Sequence, residues 1–162
     1  MRKLILAAAA FLGLAASAAS ACPVISEGVQ SYSFSGTQLL QPVGIEVTAG
    51  GDRDLTQCAH IYNNLGSDRP EYGGTYFTGQ PDFSIYLSDM GRYKIDIRVV
   101  SECDAALLIN TGAVNWYFDD DDLGNLDPRI WLTRPSGGRM DIWVGALDGP
   151  CSAQLQLETY YR

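Results

Sequence analysis

The sequence predicts an all-β fold, an antiparallel jelly-roll-like β-sandwich of about eight to ten strands, and three observations carry that expectation. Tyr93, Ile95, Ile97 and Val99 alternate with Arg92, Lys94, Asp96 and Arg98, the period of two expected of a strand with one face buried and one wet. Met140, Ile142 and Val144 repeat the pattern against Arg139 and Asp141, as do Leu155 and Leu157 against Gln154, Gln156 and Glu158. Turn chemistry separates these runs at intervals that suit a sandwich or barrel, at Asp89-Met90-Gly91, Asn110-Thr111-Gly112, Pro135-Ser136-Gly137-Gly138 and Asp148-Gly149-Pro150.

Met1-Arg2-Lys3 and the alanine-rich apolar run that follows read as a secretory signal peptide over residues 1–21, with Ala19-Ser20-Ala21 as the small-residue cleavage pattern. The apolar core is too short for a membrane span. Residues 22–162 then form one β-sandwich domain, destined for the periplasm or the extracellular space. A rival reading makes Cys22 a lipidated anchor of a periplasmic lipoprotein, but the residues before it lack the leucine such processing favours. The four cysteines, Cys22, Cys58, Cys103 and Cys151, suit two disulfides in an exported chain, since no two form a Cys-x-x-Cys pair. Three connectivities exist; Cys22 with Cys58 and Cys103 with Cys151 is preferred, because each closes a loop within its own half. Each could stabilise by roughly 4 kcal/mol in the chain-entropy description.

In chain order, weaker strand candidates are Val29 to Phe34, Val43 to Thr48, Cys58 to Tyr62, Asp82 to Leu87, Ala105 to Asn110, Val114 to Phe118 and Arg129 to Arg134. The segment Asn63 to Thr78, with Pro70, Gly66, Gly73 and Gly74, reads as a long surface loop. Across the Pro135 to Gly138 turn, pairing Arg134 with Met140 sets Leu132 against Ile142 and Ile130 against Val144. That register puts the apolar residues on one face and a Trp131–Trp143 pair on the polar face. Such an exposed pair could stack on a sugar or anchor a protein partner, which makes Trp131 and Trp143 candidate ligand contacts. Trp116, in phase with Val114 and Phe118, is expected in the core.

The net charge is −8, and losing Arg2 and Lys3 with the leader takes it to −10. Phosphate backbones are repelled by such a chain, so neither nucleic acid nor an anionic membrane is an expected partner, whereas cations and basic partners are. The acids concentrate in Trp116–Leu132, where Asp119, Asp120, Asp121, Asp122, Asn125 and Asp127 offer hard oxygen donors around Gly124. Calcium takes six to eight such oxygens and is the expected cofactor. The spacing is not that of an EF-hand, because Leu123 and Ile130 fall at its fifth and twelfth positions. A solvated acidic turn, neutralised in part by Arg129 and Arg134, is the competing reading. No catalytic residues are assigned: His60 is the sole histidine, and no Gly-x-Ser-x-Gly elbow or His-Glu-x-x-His helix is present.

The order of short motifs in residues 81–160 resembles the bacterial pre-peptidase C-terminal domain: Gly91-Arg92-Tyr93-Lys94-Ile95-Asp96-Ile97, Cys103-Asp104-Ala105-Ala106-Leu107-Leu108, the Asp119 to Asp122 run, Pro128-Arg129-Ile130, and Gly138-Arg139-Met140-Asp141-Ile142-Trp143-Val144. The resemblance implies a jelly-roll-like sandwich that is exported and non-catalytic, appended to secreted peptidases, with calcium in related collagen-binding modules. It also implies that Asp119 to Asp122 and Arg129 are signature residues. Met140 stands where the family has tyrosine, Ala105 where a proline commonly follows the aspartate, and a peptidase domain is not expected within these 162 residues. The function expected is therefore a non-catalytic recognition or stabilising module for a protein or polysaccharide partner; the alternative is a protein associated with a secreted peptidase or another hydrolase.

Overall fold

The computed structural model describes residues 22–66, 69–70, 73–122 and 126–162. Residues 1–21, where a signal peptide is expected, and Asn125 lie outside the described residues. The strands are β1 (Gln30–Ser35), β2 (Val43–Ala49), β3 (Arg53–Asp54), β4 (Tyr76–Phe77), β5 (Phe83–Ser88), β6 (Tyr93–Ser101), β7 (Ala105–Asn110), β8 (Trp116–Asp119), β9 (Arg129–Leu132), β10 (Gly138–Ala146) and β11 (Cys151–Tyr161), with one short helix, α1 (Ala59–Tyr62). No helix among the described residues is long and apolar enough to cross a membrane.

Eight of the strands pair in nested order. β2 joins β11, β5 joins β10, β6 joins β9 and β7 joins β8, all antiparallel. Lateral pairs β6·β11 and β7·β10 then assemble two sheets, β2-β11-β6-β9 and β5-β10-β7-β8. First-with-last nesting across two sheets is a jelly roll, as the sequence predicts. β1 extends the second sheet beside β5, and its pairing is parallel, the one departure from the antiparallel expectation.

The expected hairpin between β9 and β10 is absent. Leu132 faces Ile95 and Ile130 faces Ile97, whereas Ile142 faces Ile109 and Val144 faces Leu107. The chain crosses from one sheet to the other between Leu132 and Gly138. Both strands still turn their apolar sides to the same core, which holds Ile130, Leu132, Met140, Ile142 and Val144. Alternation specifies which side of a strand is buried but does not name the neighbouring strand.

The outer face of the β5-β10-β7-β8 sheet is covered as well. A second cluster gathers Ala106, Leu108, Phe118 and Trp143 from the sheet against Leu55, Cys58, Ile61, Leu65 and Phe77 from the segment between β2 and β5. Trp143 is fully buried there and stacks on half-buried Trp116, with ring centroids 5.5 Å apart. This overturns the exposed Trp131–Trp143 pair. All six residues of β7 are buried, which is why that strand shows no alternation.

The cap also corrects the strand expected over Cys58 to Tyr62, which is α1. The Asp54 carboxylate accepts the Thr56 N–H at 2.9 Å and starts a 3-10 turn that runs into the helix. Leu55, Cys58, Ile61 and Leu65 recur every three or four residues and form the buried side of this segment. The expected loop from Asn63 contains β4, whose Phe77 packs edge-on against Phe118. Cys22 is bonded to Cys58 and Cys103 to Cys151, with Cα separations of 5.5 and 6.1 Å. The first bond ties the start of the described chain to the cap, and the second closes the end of the sandwich where β7 and β11 begin.

Two-sided burial makes a prediction for the tryptophans. Trp143→Ala should cost about 3–5 kcal/mol, as expected when a buried aromatic side chain leaves a cavity, and Trp131→Ala under about 1 kcal/mol. Urea unfolding of the two variants measures both values.

Candidate functional site

β9 is an edge strand on the wet side of its sheet, and period-two alternation turns Ile130 and Leu132 inward and Arg129 and Trp131 outward. Trp131 is 40% exposed. The Arg129 guanidinium lies 4.7 Å from its ring centroid and the Lys94 ammonium 5.1 Å, while the Tyr160 ring stands 5.5 Å away. Lys94 also lies 5.6 Å from the Tyr160 ring, so two aromatic faces share one cation.

Asp96 holds this cluster from below. It lies on the polar side of β6 and is nevertheless fully buried, because its partners cover it. Arg129 donates from Nε to one carboxylate oxygen at 2.9 Å and from Nη2 to the other at 2.8 Å, a bidentate fork. Arg98 donates to the same carboxylate and reaches Gln156 at 2.9 Å and Glu158 at 3.2 Å. The fork fixes the guanidinium on which Trp131 stacks. Trp131 in turn walls a cleft of about 280 Å³, with Tyr117 and Leu132 as further apolar or aromatic lining and Asn115, Thr133 and Arg134 as polar groups. An aromatic wall beside amide, hydroxyl and guanidinium groups can stack on a ring and hydrogen-bond to its substituents.

The aspartate run lies at the other end of β8. Asp119 accepts the Arg129 N–H at 2.7 Å, and Asp127 accepts both the N–H and the hydroxyl of Ser101 at 2.9 Å. These bonds, with Val99 N–H to Pro128 and Ala105 N–H to Leu126, tie the loop to the ends of β6 and β7. Asp122 stands 3.7 Å from Arg129. Burial, reinforced by Asp120, Asp122 and Asp121, pushes the Asp119 carboxyl up to about 6. Burial likewise raises Asp104, helped by Asp121, Asp148 and Asp120, so at least five carboxylates crowd this end. The donors are hard oxygens of the kind calcium takes. Among the described residues, however, no three acidic or other ligating side chains are arranged to hold a metal ion. Asp119 and Asp127 are turned instead toward backbone and hydroxyl donors.

Of the residues singled out from sequence, the structure thus separates Trp131, open to solvent, from Trp143, sealed beneath the cap. It groups Asp119, Asp120, Asp121, Asp122 and Asp127 along one loop. His60 is exposed on α1. Asp104 and Asp148 were missed, although each is close in sequence to a cysteine of the Cys103–Cys151 bond, which brings the two together. Asn115, Tyr117 and Arg134 were missed as cleft residues because the expected hairpin hid the boundary between β8 and β9.

Asp96→Asn should weaken both arginine contacts and cost about 2 kcal/mol, less than for a fully buried ion pair because both guanidinium groups are partly exposed; urea unfolding reads the loss. Burial also raises the Asp82 carboxyl, to about 7. An acid whose folded pKa exceeds its unfolded value near 4 makes the fold less stable as pH climbs through that interval, because the native state holds the proton longer. Thermal unfolding should therefore occur at higher temperature at pH 5 than at pH 8, and Asp82→Asn with Asp119→Asn should flatten the difference.

The two disulfides suit an oxidising compartment. Compared with known protein families and with curated protein sequences, the chain matches none, and nothing in these comparisons identifies a pre-peptidase C-terminal domain.

Proposed function

We propose that the protein is an exported, non-catalytic recognition module that engages a polysaccharide through the Trp131 cleft. The observation that carries this reading is the exposed Trp131 ring, braced by Arg129 and Asp96 and set beside Asn115, Thr133 and Arg134. Sugar rings present apolar C–H faces and a rim of hydroxyls, which call for an aromatic surface next to fixed donors and acceptors. Pre-ordering of the indole by its cationic partners lowers the entropy lost when a ring settles on it. The Cys22–Cys58 bond supports release over anchoring, since a sulfur in a cystine is not available to a lipid.

Affinity electrophoresis against a panel of soluble glucans, xylans, mannans and chitin oligomers tests the proposal. At least one should retard the wild type, and Trp131→Ala should weaken that retardation at least tenfold while unfolding at nearly the wild-type temperature. Absence of retardation, or retardation indifferent to Trp131, contradicts the reading.

A second reading places calcium at the acidic end, favoured by the crowding that raises both Asp104 and Asp119. A bound cation would relieve that repulsion, with Asp120, Asp121 and Asp122 drawn toward it. Calcium at one hundred times its dissociation constant should then stabilise the fold by about 2.7 kcal/mol. The gain should vanish in Asp120→Asn/Asp121→Asn; equal effects of calcium and sodium at matched ionic strength would exclude a site.

A further inference from the structure

The two sheets part between the open edges of β1 and β2, and the opening is a cleft of about 430 Å³ remote in sequence from the Trp131 residues. Val29, Val47, Ala49 and Pro150 give it apolar walls, and the Gly50-Gly51 backbone gives another. Gly51 cannot carry a side chain, because a Cβ there would meet the Phe77 carbonyl carbon at 2.0 Å. Among the described residues, Asp82 is the one charged residue lining this opening.

The Asp82 carboxylate has a structural task and spare capacity. It accepts the Val144 N–H at 2.8 Å, where β10 has passed the end of β5 and has not yet met β4. The Val144 carbonyl at the same gap is satisfied by the Gly50 N–H at 2.9 Å. A carboxylate offers about four acceptor positions, and among the described residues no cation pairs with Asp82.

We propose that this cleft receives a lysine side chain of a basic protein partner, its methylene stem against Val29, Val47 and Pro150 and its ammonium on Asp82. The chemistry of the opening selects that group. An arginine fork would have to share Oδ2 with the Val144 N–H, whereas an ammonium needs only one contact and makes it at the open oxygen. A metal ion wants several oxygen ligands, and one carboxylate supplies too few. A point charge on an apolar stem fits both walls and floor. The net charge of −8 favours a basic partner over an acidic one. Burial without an ionic neighbour also raises the Asp82 pKa to about 7, the response of a carboxylate that lacks a counter-charge.

The test uses the mature, disulfide-bonded protein and two probes, N-acetyl-lysine methylamide and the same compound acetylated on its side-chain nitrogen, followed by NMR titration. The free ammonium form should perturb the amides of Val29, Asp82 and Val144 and bind at least tenfold more tightly than the acetylated form. Its affinity should be about tenfold higher at pH 8 than at pH 6, as Asp82 ionises. Asp82→Asn should abolish binding, and Val29→Lys, which offers an internal ammonium at an exposed position, should compete with it. Trp131→Ala should leave it unchanged, which separates this site from the polysaccharide reading. Equal binding of the two probes, binding that survives Asp82→Asn, or no binding by the wild type would overturn the proposal.

Discussion

Strands β7 and β10 are buried on both faces, and much of the rest of the molecule follows from that constraint. A jelly roll needs only one covered face per sheet, yet Leu108 and Trp143 point away from the core between the sheets and still avoid water. Apolar surface of that size is costly to leave wet, so the chain spends the segment between β2 and β5 on a cap. That segment is too small to hold itself together; the Cys22–Cys58 bond and the packing of Phe77 on Phe118 fix it in place. Covering the outside of one sheet leaves the outside of the other as the open face.

On that open face, polar residues are organised by charge. Asp96 is the organising anion: it gathers Arg98 and Arg129, and Arg129 orders Trp131 in turn. Indirectly, a buried acid therefore sets the position of an exposed aromatic ring. Breaking such a pair leaves one partner without compensation, whereas keeping it contributes little net stability. We attribute the retention of this network to the geometry it imposes. The acidic run after β8 is similarly tied down, since Asp119 caps the start of β9 and Asp127 holds the end of β6. Carboxylates that read as candidate ligands in sequence thus also serve as acceptors for backbone N–H groups at strand ends.

What was legible in the sequence was local. The alternation in 92–99, 139–144 and 154–158 located three central strands and the sides they turn to the core between the sheets, though not the second buried side of β10, and the cysteine spacing suggested the disulfide pairing that the structure contains. Partner choice was not legible. β9 and β10 carry compatible patterns on either side of a turn, but both face the same core from opposite sheets, and a pattern of period two is the same in either case. The cap was hidden for another reason. Leu55, Cys58, Ile61 and Leu65 have helical spacing, but four positions within eleven residues are a weak signal beside the apolar run at Cys58. Asp96 looked like one more polar residue on a wet face; its burial comes from the two arginines that close over it, one in the same strand and one from a strand 33 residues away in sequence.

The central claim is that cap and open face divide the tryptophans, leaving Trp131 in water and sealing Trp143. Acrylamide quenching of tryptophan fluorescence in Trp131→Phe and Trp143→Phe variants tests it directly. The account predicts that quenchable emission falls sharply when Trp131 is replaced and changes little when Trp143 is replaced. The reverse result would place Trp143 in solvent and contradict both the cap and the site built around Trp131.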